Sequence, residues 1–188
     1  MLPTFETKRL VIRPYVKTDA DKVELLAGNP KVAETTVAIP HPYPKGLAAS
    51  WISKHEKKAI EIGSYTFAVV LKSSSELLGT LTFRVDIDDN KAELGYWFGV
   101  PYWGNGYCTE AARRIIEFGF NELKLNKIWA SVMTKNPASM KILTKLDFEK
   151  EGVFKQDIMK SGNYEDMVYY GLLRQNYQYN REALIEYE

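Results

Sequence analysis

The chain has 188 residues, of which 45% are hydrophobic and 13% aromatic. A chain of this length can bury one good core but is short for two full domains, so we predict a single domain over residues 1–188, with its core over about 4–174 and a polar tail over 175–188. The 25 Lys and Arg residues and 24 Asp and Glu residues leave a net charge of +1, which excludes a global field that would recruit nucleic acid or an anionic membrane.

Side-chain patterns predict the secondary structure along this range. Pro14 ends a first alternating segment because proline cannot donate a hydrogen bond within a strand ladder, and Thr18 or Asp19 can cap the helix that follows. Gly63 marks the end of a second helix. In chain order the predicted elements are a strand over 8–13, a short helix beyond residue 19, a helix over 48–62, strands over 65–71, 77–83 and 92–100, a helix over about 107–123, a strand over 127–133, a helix over 137–146, and strands near 148–156 and 166–173.

Gly104 and Gly106 lie between a predicted strand and a predicted helix. Backbone N–H groups at glycines can close on an anion without obstruction from side chains, and the dipole of the helix adds positive potential, as in a pyrophosphate cradle. A plain tight turn before a helix explains two glycines equally well. The segment lacks the Gly-Lys-Ser/Thr ending of an ATP-binding P-loop, and Thr109 stands where a dinucleotide-binding fold would have glycine.

The segment 103–109, Trp-Gly-Asn-Gly-Tyr-Cys-Thr, resembles the corresponding turn of the Gcn5-related N-acetyltransferase (GNAT) superfamily, whose members read Arg/Gln-x-x-Gly-x-Gly/Ala. Trp103 replaces the usual arginine or glutamine and Cys108 the usual glycine or alanine, and both leave the backbone amides available. The aromatic start resembles the Rim-type subgroup, which acetylates the N-termini of ribosomal proteins. Other stretches that fit the subgroup, over about residues 4–174, are 6–14, 136–139, 145–148 and 151–152.

The resemblance implies an α/β fold with a mixed, mostly antiparallel, seven-stranded sheet flanked by about four helices and splayed between strands 4 and 5, where acetyl-CoA enters. It implies that Asn136 hydrogen-bonds the pantetheine arm of the cofactor, although an asparagine before Pro137 is also a good helix N-cap. Backbone at the end of the fourth strand is expected to pair with that arm. The expected cofactor-binding residues are Phe98, Gly99, Val100, Trp103, Gly104, Asn105, Gly106, Tyr107, Cys108, Thr109, Asn136 and Ser139.

Acetyl transfer to an amine needs a neutral nucleophile, a stabilised tetrahedral intermediate and a proton for the departing thiolate. Glu93 can take the amine proton, directly or through water, if it faces the cleft; as an exposed strand residue it would be inert, and Glu165 and Asp166 are alternative bases. Many superfamily members use a tyrosine to protonate the thiolate, but Leu143 occupies the matching position here. The resemblance to Rim-type enzymes implies that Ser139 takes this role.

Three further residues near the proposed site have simpler expected roles. A helix N-terminus would depress the pKa of the Cys108 thiol, but no histidine is nearby in the sequence, so we do not expect covalent catalysis. Glu110 is expected to complement the helix dipole and to hydrogen-bond the loop backbone. Asp147 stands where glycine is usual, in a position that tends to be left-handed. Aromatic residues that either line an acceptor pocket or belong to the core are Tyr43, Trp51, Tyr96, Trp97 and Tyr164.

The remaining residue types narrow the class of protein. Cys108 has no partner for a disulfide, and the isolated His41 and His55 have no zinc-site spacing, so we expect no metal. The N-terminus has no signal-peptide pattern and no segment approaches the roughly 18 apolar residues of a membrane span, so we expect a cytoplasmic protein without a membrane or nucleic-acid partner. Monomer and homodimer both stay open.

The resemblance therefore implies an acetyl-CoA-dependent N-acetyltransferase that works by direct transfer within a ternary complex. A protein N-terminal amine ranks first as the acceptor, and a small amine such as a polyamine or an aminoglycoside ranks second. A non-catalytic acyl-CoA-binding regulator is the alternative from another class, and Leu143 at the usual tyrosine position is the observation that motivates it.

Overall fold

A computed structural model describes residues 2–177, and within that range an eight-stranded sheet organises the chain in the order β1-β2-β3-β4-β5-β6-β8-β7. Neighbouring strands are antiparallel except β5 and β6, which are parallel, so the predicted mixed, mostly antiparallel sheet is confirmed. The strands are β1 (Phe5–Glu6), β2 (Leu10–Pro14), β3 (Ser64–Leu71), β4 (Glu76–Asp86), β5 (Lys91–Phe98), β6 (Lys127–Met133), β7 (Glu149–Lys160) and β8 (Asn163–Leu173). The strand missing from the prediction is β1, which at two residues is too short to show alternation.

The structure gives the bounds of six α-helices within residues 2–177, against about four expected, and residues 174–177 are also helical. The six helices are α1 (Ala20–Ala27), α2 (Pro30–Glu34), α3 (Leu47–Ile52), α4 (His55–Ile62), α5 (Tyr107–Asn121) and α6 (Pro137–Lys145). The helix predicted over 48–62 is two helices. The helix is interrupted at Ser53, because the Ser53 hydroxyl donates to the Ser50 carbonyl at 2.8 Å. Left-handed Gly63 ends α4 as predicted. The tail beyond Tyr177 lies outside the described residues.

Of the two candidate caps, Thr18 and Asp19, it is Asp19 that occupies the N-cap position of α1, but its side chain makes no capping hydrogen bond to this helix. Its carboxylate accepts two hydrogen bonds from the Arg13 guanidinium, at 2.7 and 2.9 Å, and one from the Val16 N–H at 2.9 Å. The hydrogen bond to Asp19, which outweighs the burial that opposes it, raises the pKa of Arg13. The side chain therefore joins the end of β2 to α1 instead of capping the helix.

The sheet carries a separate apolar cluster on each face, as the two-residue period of strands requires. On one face α5 and α6 cover the larger cluster, to which β3 contributes Phe67 and Val69. On the other face α1 and α3 cover a smaller cluster, to which β3 contributes Ala68 and Val70. Burial of each large side chain contributes about 1.5–3 kcal/mol, so both helical layers are held firmly to the sheet.

The sheet opens between β5 and β6. Register pairs join these strands only at Lys91 with Lys127, Ala92 with Ile128 and Glu93 with Trp129. Both strands continue beyond these pairs, to Phe98 and Met133, with a cavity between them. The predicted splay between the fourth and the fifth predicted strand is confirmed, and it lies between β5 and β6 in the observed numbering.

Candidate active site between the diverging strands

A cavity of about 980 Å³ occupies the opening between β5 and β6. Its volume is at the upper end of the range typical of sites for small molecules and cofactors. Ser139 and Cys108 line it from the α5 and α6 side of the sheet, and Glu93 and Trp51 line it from the side covered by α1 and α3. The cavity thus connects the two faces of the sheet, so two ligands can enter from opposite sides and meet inside it.

The loop before α5 has the backbone that an anion cradle needs. Gly104 and Gly106 both have φ of 77°, in the left-handed region that favours glycine. A Cβ on Gly104 would meet nothing within 4 Å, so backbone conformation, and not lack of space, requires glycine there. Gly106 precedes the first turn of α5, whose N–H groups have no partners within the helix. Of the expected cradle residues, Trp103, Gly104, Gly106, Tyr107, Cys108 and Thr109 line the cavity, whereas Asn105 does not.

Arg9, which the sequence did not single out as a site residue, braces this loop from outside the cavity. Its guanidinium donates to the Asn105 carbonyl at 3.1 Å, lies 4.4 Å from the centre of the Tyr107 ring, and pairs with Glu110 at 2.6 Å. Glu110 also accepts a hydrogen bond of 2.6 Å from the Thr7 hydroxyl. The prediction that Glu110 bonds the loop backbone directly is wrong, because Arg9 makes that link. The only signal for Arg9 was its place in the matching stretch 6–14.

Trp103 fixes the other end of the loop. Its indole N–H donates to the Phe98 carbonyl at 2.7 Å, while 43% of the residue stays exposed. The Gly99 carbonyl accepts a hydrogen bond from Tyr102, and the Gly99 N–H donates to Leu78 at 2.9 Å. Gly99 lies close to α1, since a Cβ there would lie 2.6 Å from a Leu26 methyl carbon. Several backbone groups in the expected stretch 98–100 therefore already have protein partners.

The strand register shows which backbone groups of β5 face the opening. The bond from Gly99 to Leu78 continues the β4–β5 register by one step, so Gly99 belongs to a hydrogen-bonded pair. Such pairs alternate along antiparallel strands, which directs the backbone groups of every second residue away from β4. Beyond the last pairing with β6, the groups directed toward the opening are those of Tyr96 and Phe98, of which the Phe98 carbonyl also accepts from Trp103. They form a polar edge along which an extended chain with amide groups can pair.

Ser139 and Asn136 lie together at the start of α6. Asn136 is the N-cap, whose Oδ1 accepts from the Ser139 N–H at 3.1 Å and whose Nδ2 donates to the Thr35 carbonyl at 3.2 Å. Ser139 is 8% exposed, and its Oγ lies 2.8 Å from the Tyr96 hydroxyl. Leu143, one turn further on, is fully buried in the core. The serine, and not the residue at the usual tyrosine position, thus reaches the cavity from this helix.

Glu93 lies on the opposite side of β5 from Tyr96, because side chains alternate along a strand. Its carboxylate pairs with the Arg84 guanidinium at 2.6 Å and lines the cavity. The alternative bases do not line it: Glu165 pairs with Lys135, and Asp166 accepts from Lys155 at 2.7 Å. Of the three candidate carboxylates, only Glu93 borders the cavity with Ser139.

Comparison with known proteins agrees with this geometry. Residues 9–149 match the sequence model of a family described as the acetyltransferase (GNAT) domain. The chain belongs to the GNAT acetyltransferase family. It is 30% identical over 177 residues to an uncharacterized N-acetyltransferase, p20, of Bacillus licheniformis, which covers 94% of this chain and 99% of that protein. The family assignment makes the protein an N-acetyltransferase that uses acetyl-CoA as its cosubstrate.

Two further similarities extend this result. The Escherichia coli [ribosomal protein uS5]-alanine N-acetyltransferase is 28% identical over 132 residues, which cover 68% of this chain and 66% of that protein. A solved structure of a GNAT-family acetyltransferase from Bacillus anthracis superposes with a TM-score of 0.82 at 25% identity, over 92% of this chain and 99% of the other. The fold and the suspected relation to ribosomal-protein acetyltransferases are both confirmed.

Cys108 of this GNAT enzyme does not have the reactive environment expected of a helix N-terminus. Burial raises the pKa of its thiol, and burial likewise raises the pKa of the nearby Tyr96 phenol. A thiol kept protonated is a poor nucleophile, so the prediction of a depressed pKa is wrong. Asp147, by contrast, has the left-handed conformation expected of it, with φ of 64°.

The aromatic residues divide between the cavity and the surface. Tyr43, Trp51 and Trp97 line the cavity on the side of the sheet that carries Glu93, whereas Tyr164 is 63% exposed and does not line it. Within residues 2–177, no group of three or more His, Cys, Asp and Glu side chains is arranged to hold a metal ion. In the same range, no helix has the length and apolar composition of a membrane-crossing segment.

Proposed function

We propose that this N-acetyltransferase acetylates the N-terminal amine of a protein by direct attack on acetyl-CoA in a ternary complex, with Glu93 as the general base and Ser139 as the hydrogen-bond donor to the departing sulfur. The observation that carries the proposal is that these two side chains border one cavity from opposite sides of β5. An acceptor on the Glu93 side and a thioester on the Ser139 side meet in the opening without a covalent enzyme intermediate.

The residues present fit acetyl-CoA. The N–H groups of the loop 104–106 and of the first turn of α5 suit the pyrophosphate. The backbone edge formed by Tyr96 and Phe98 suits the amides of the pantetheine arm, as an added strand would pair. Asn136 Nδ2 donates one hydrogen to the Thr35 carbonyl at 3.2 Å, which leaves its second amide hydrogen for that arm.

The proposed chemistry assigns one task to each side of the opening. Glu93 accepts a proton from the acceptor, directly or through water, so that a neutral amine attacks the thioester carbonyl. The tetrahedral intermediate then loses the second proton of its nitrogen to solvent and collapses; the carbon–sulfur bond breaks, and its electron pair stays on the sulfur, which takes up a proton from solvent. Ser139 donates a hydrogen bond to that sulfur, which stabilises the developing thiolate. The products are an amide and CoA.

The charges that line the cavity favour a protein N-terminus over a polyamine or an aminoglycoside. Glu93 is the one carboxylate of the lining within residues 2–177, and Arg84 already pairs with it. The lining cations are Lys58, Arg84, Lys135, Lys141 and Lys145. A polycationic acceptor would be repelled by this set, whereas a protein N-terminus brings a single amine. The name of the uS5-alanine relative also supports this acceptor class.

An acceptor screen tests the proposal. The purified enzyme is incubated with acetyl-CoA and, in parallel, with short peptides that copy ribosomal-protein N-termini, with spermidine and with an aminoglycoside, and products are measured by mass spectrometry. We expect acetylation of at least one peptide α-amine and much slower acetylation of the polycations. A clear preference for spermidine or the aminoglycoside overturns the acceptor class. Tight acetyl-CoA binding without transfer to any amine favours the regulator.

A further inference from the structure

We propose that Tyr96 is a positioning residue that donates a hydrogen bond from its phenol to Ser139 Oγ and thereby directs the serine proton toward the sulfur of CoA. This inference rests on the proposed role of Ser139 and adds a residue that the resemblance did not supply. Tyr96 was expected only to line an acceptor pocket or the core. In the structure Tyr96 lies on the cofactor side of the opening, across the sheet from the side that carries Glu93.

The geometry joins the two strands of the opening through this pair. Tyr96 comes from β5, and Ser139 comes from α6, which follows β6. Their hydroxyl oxygens are 2.8 Å apart, while the Ser139 carbonyl lies 3.4 Å from the phenol and is the poorer partner. The Ser139 backbone is held separately by the cap from Asn136. Backbone and hydroxyl of the serine are therefore fixed by two different contacts.

Either hydroxyl could donate in this bond, and the proposed role of Ser139 requires Tyr96 to be the donor. A serine hydroxyl has one proton, and a serine that spends it on Tyr96 has none for the sulfur. If Tyr96 is the donor, the serine accepts with a lone pair and keeps its own O–H free for the thiolate. Burial raises the pKa of the Tyr96 phenol, with Cys108 adding to the effect and the bond to Ser139 opposing it, so the phenol stays protonated and able to donate. Tyr96 transfers no proton in this scheme.

The test uses CoA itself as the probe, so it does not depend on the acceptor. The pKa of the bound CoA thiol is measured from its ultraviolet thiolate absorbance, and the complex with a CoA analogue that lacks the sulfur serves as the blank for Cys108 and the tyrosines. We expect Ser139→Ala to raise this pKa and Tyr96→Phe to raise it by a smaller amount. CoA affinity, measured by calorimetry, should change less than about threefold in Tyr96→Phe, because the proposed task of the phenol is to orient Ser139 and not to hold CoA.

Tyr15→Phe is the matched control. Tyr15 is also a partly buried tyrosine bonded to a hydroxyl side chain, since its phenol lies 2.6 Å from Thr80 Oγ1, but it lies on the other face of the sheet. It should leave the titration of the bound thiol unchanged. With a peptide acceptor from the screen, Tyr96→Phe should lower kcat by roughly five- to twentyfold with little change in KM for acetyl-CoA, as expected for the loss of one oriented hydrogen bond.

The outcomes separate this inference from the proposed function. If Ser139→Ala raises the thiol pKa and Tyr96→Phe does not, the role of Tyr96 is overturned and that of Ser139 stands. If Ser139→Ala leaves the thiol pKa unchanged while CoA still binds, both roles fall. Replacement of Tyr96 by 3-fluorotyrosine covers the case of a Phe variant that fails to fold. This residue keeps the shape and has a more acidic phenol, so it should lower the thiol pKa, and no change would contradict the inference.

Discussion

The two sides of the cavity are built in different ways. On the cofactor side, the surface is formed mostly by backbone: left-handed Gly104 and Gly106, the first turn of α5 and the capped start of α6 at Asn136. On the acceptor side, the Arg84–Glu93 pair and rings such as Trp51 define the surface. Backbone requirements limit the residue types at a position, whereas side-chain surfaces accept many solutions. The cofactor side therefore suits acetyl-CoA, the same ligand in every reaction, and the acceptor side suits a particular amine.

The largest expected effect falls on the cofactor side. Replacement of both Gly104 and Gly106 by valine puts β-branched residues at φ of 77°, which they strongly disfavour, and should abolish measurable acetyl-CoA binding, a loss of more than about a hundredfold. Calorimetric titration measures this. A control in which exposed, left-handed Gly162, away from the cavity, becomes valine should bind normally. Wild-type affinity in the double variant would contradict the cradle.

Glu93→Gln tests the acceptor side with almost no change of shape. Without a general base we expect kcat to fall by about a hundredfold near neutral pH, with acetyl-CoA affinity unchanged. Steady-state kinetics with a peptide acceptor, together with calorimetry, measure the two quantities separately. Glu165→Gln, which removes a carboxylate outside the cavity, is the control and should keep most of the activity. The reverse ranking would move the base to Glu165.

His55 tests the packing behind the acceptor side. Both ring nitrogens are buried without a hydrogen-bond partner, the ring lies 4.2 Å from that of Trp51, and burial lowers the pKa of the imidazole to about 4. Its folded pKa is below the unfolded value of about 6.5, so the stability it contributes is present above that value and is lost as the pH falls toward about 4. From about pH 7 to about pH 5 the loss is roughly 2 kcal/mol.

Thermal denaturation of His55→Leu across this pH range checks the effect. The variant should lose less stability on acidification than the parent, because the leucine does not titrate. The exposed His41→Leu variant is the control and should follow the parent curve. Equal acid sensitivity in parent and His55→Leu would show that other groups cause it.

Arg9→Gln tests how much the contacts of Arg9 with the glycine loop contribute to acetyl-CoA binding, apart from the loop conformation itself. It removes the guanidinium that holds the Asn105 carbonyl and Glu110, so we expect acetyl-CoA affinity to fall by roughly tenfold, less than for the glycine pair. Calorimetry measures the change. Lys72→Gln, which breaks an exposed ion pair with Glu6 elsewhere on the N-terminal segment, should change affinity by less than about twofold. Similar losses in both would argue against specific bracing.

Asp147→Gly is expected to have the smallest effect and the opposite sign. Glycine removes the strain of a left-handed aspartate at the end of α6 and a negative charge near a helix C-terminus, so stability should rise by about 0.5–1 kcal/mol. Chemical denaturation measures the gain. Asp147→Asn separates the two causes, because it removes the charge and keeps the side chain. A gain in both variants of equal size would assign the effect to charge alone.

The sequence predicted features that depend on local backbone signals better than contacts between side chains far apart in the chain. The bounds of β6 agree with the prediction, and those of α6 differ by one residue, because alternation, a cap and a proline are local signals. The Arg9–Glu110 and Tyr96–Ser139 contacts join residues 101 and 43 positions apart, and no local pattern reports such pairs. The sequence also did not predict the interruption between α3 and α4. Ser53 fits the helical pattern of the sequence, and only the structure shows that its hydroxyl bonds to Ser50. The bounds of these elements were predictable from local sequence, and the contacts between residues distant in sequence were not.

The parallel pairing of β5 with β6 also has a consequence for how the chain folds. Parallel neighbours need a long crossover, and here the crossover contains the glycine loop and α5. The chain therefore cannot bring β6 beside β5 without placing this loop, so the cradle and the parallel strand pairing form together. A ligand that binds only the folded loop then stabilises the whole molecule by an amount that grows with the logarithm of its free concentration above Kd, so acetyl-CoA becomes part of what keeps this enzyme folded.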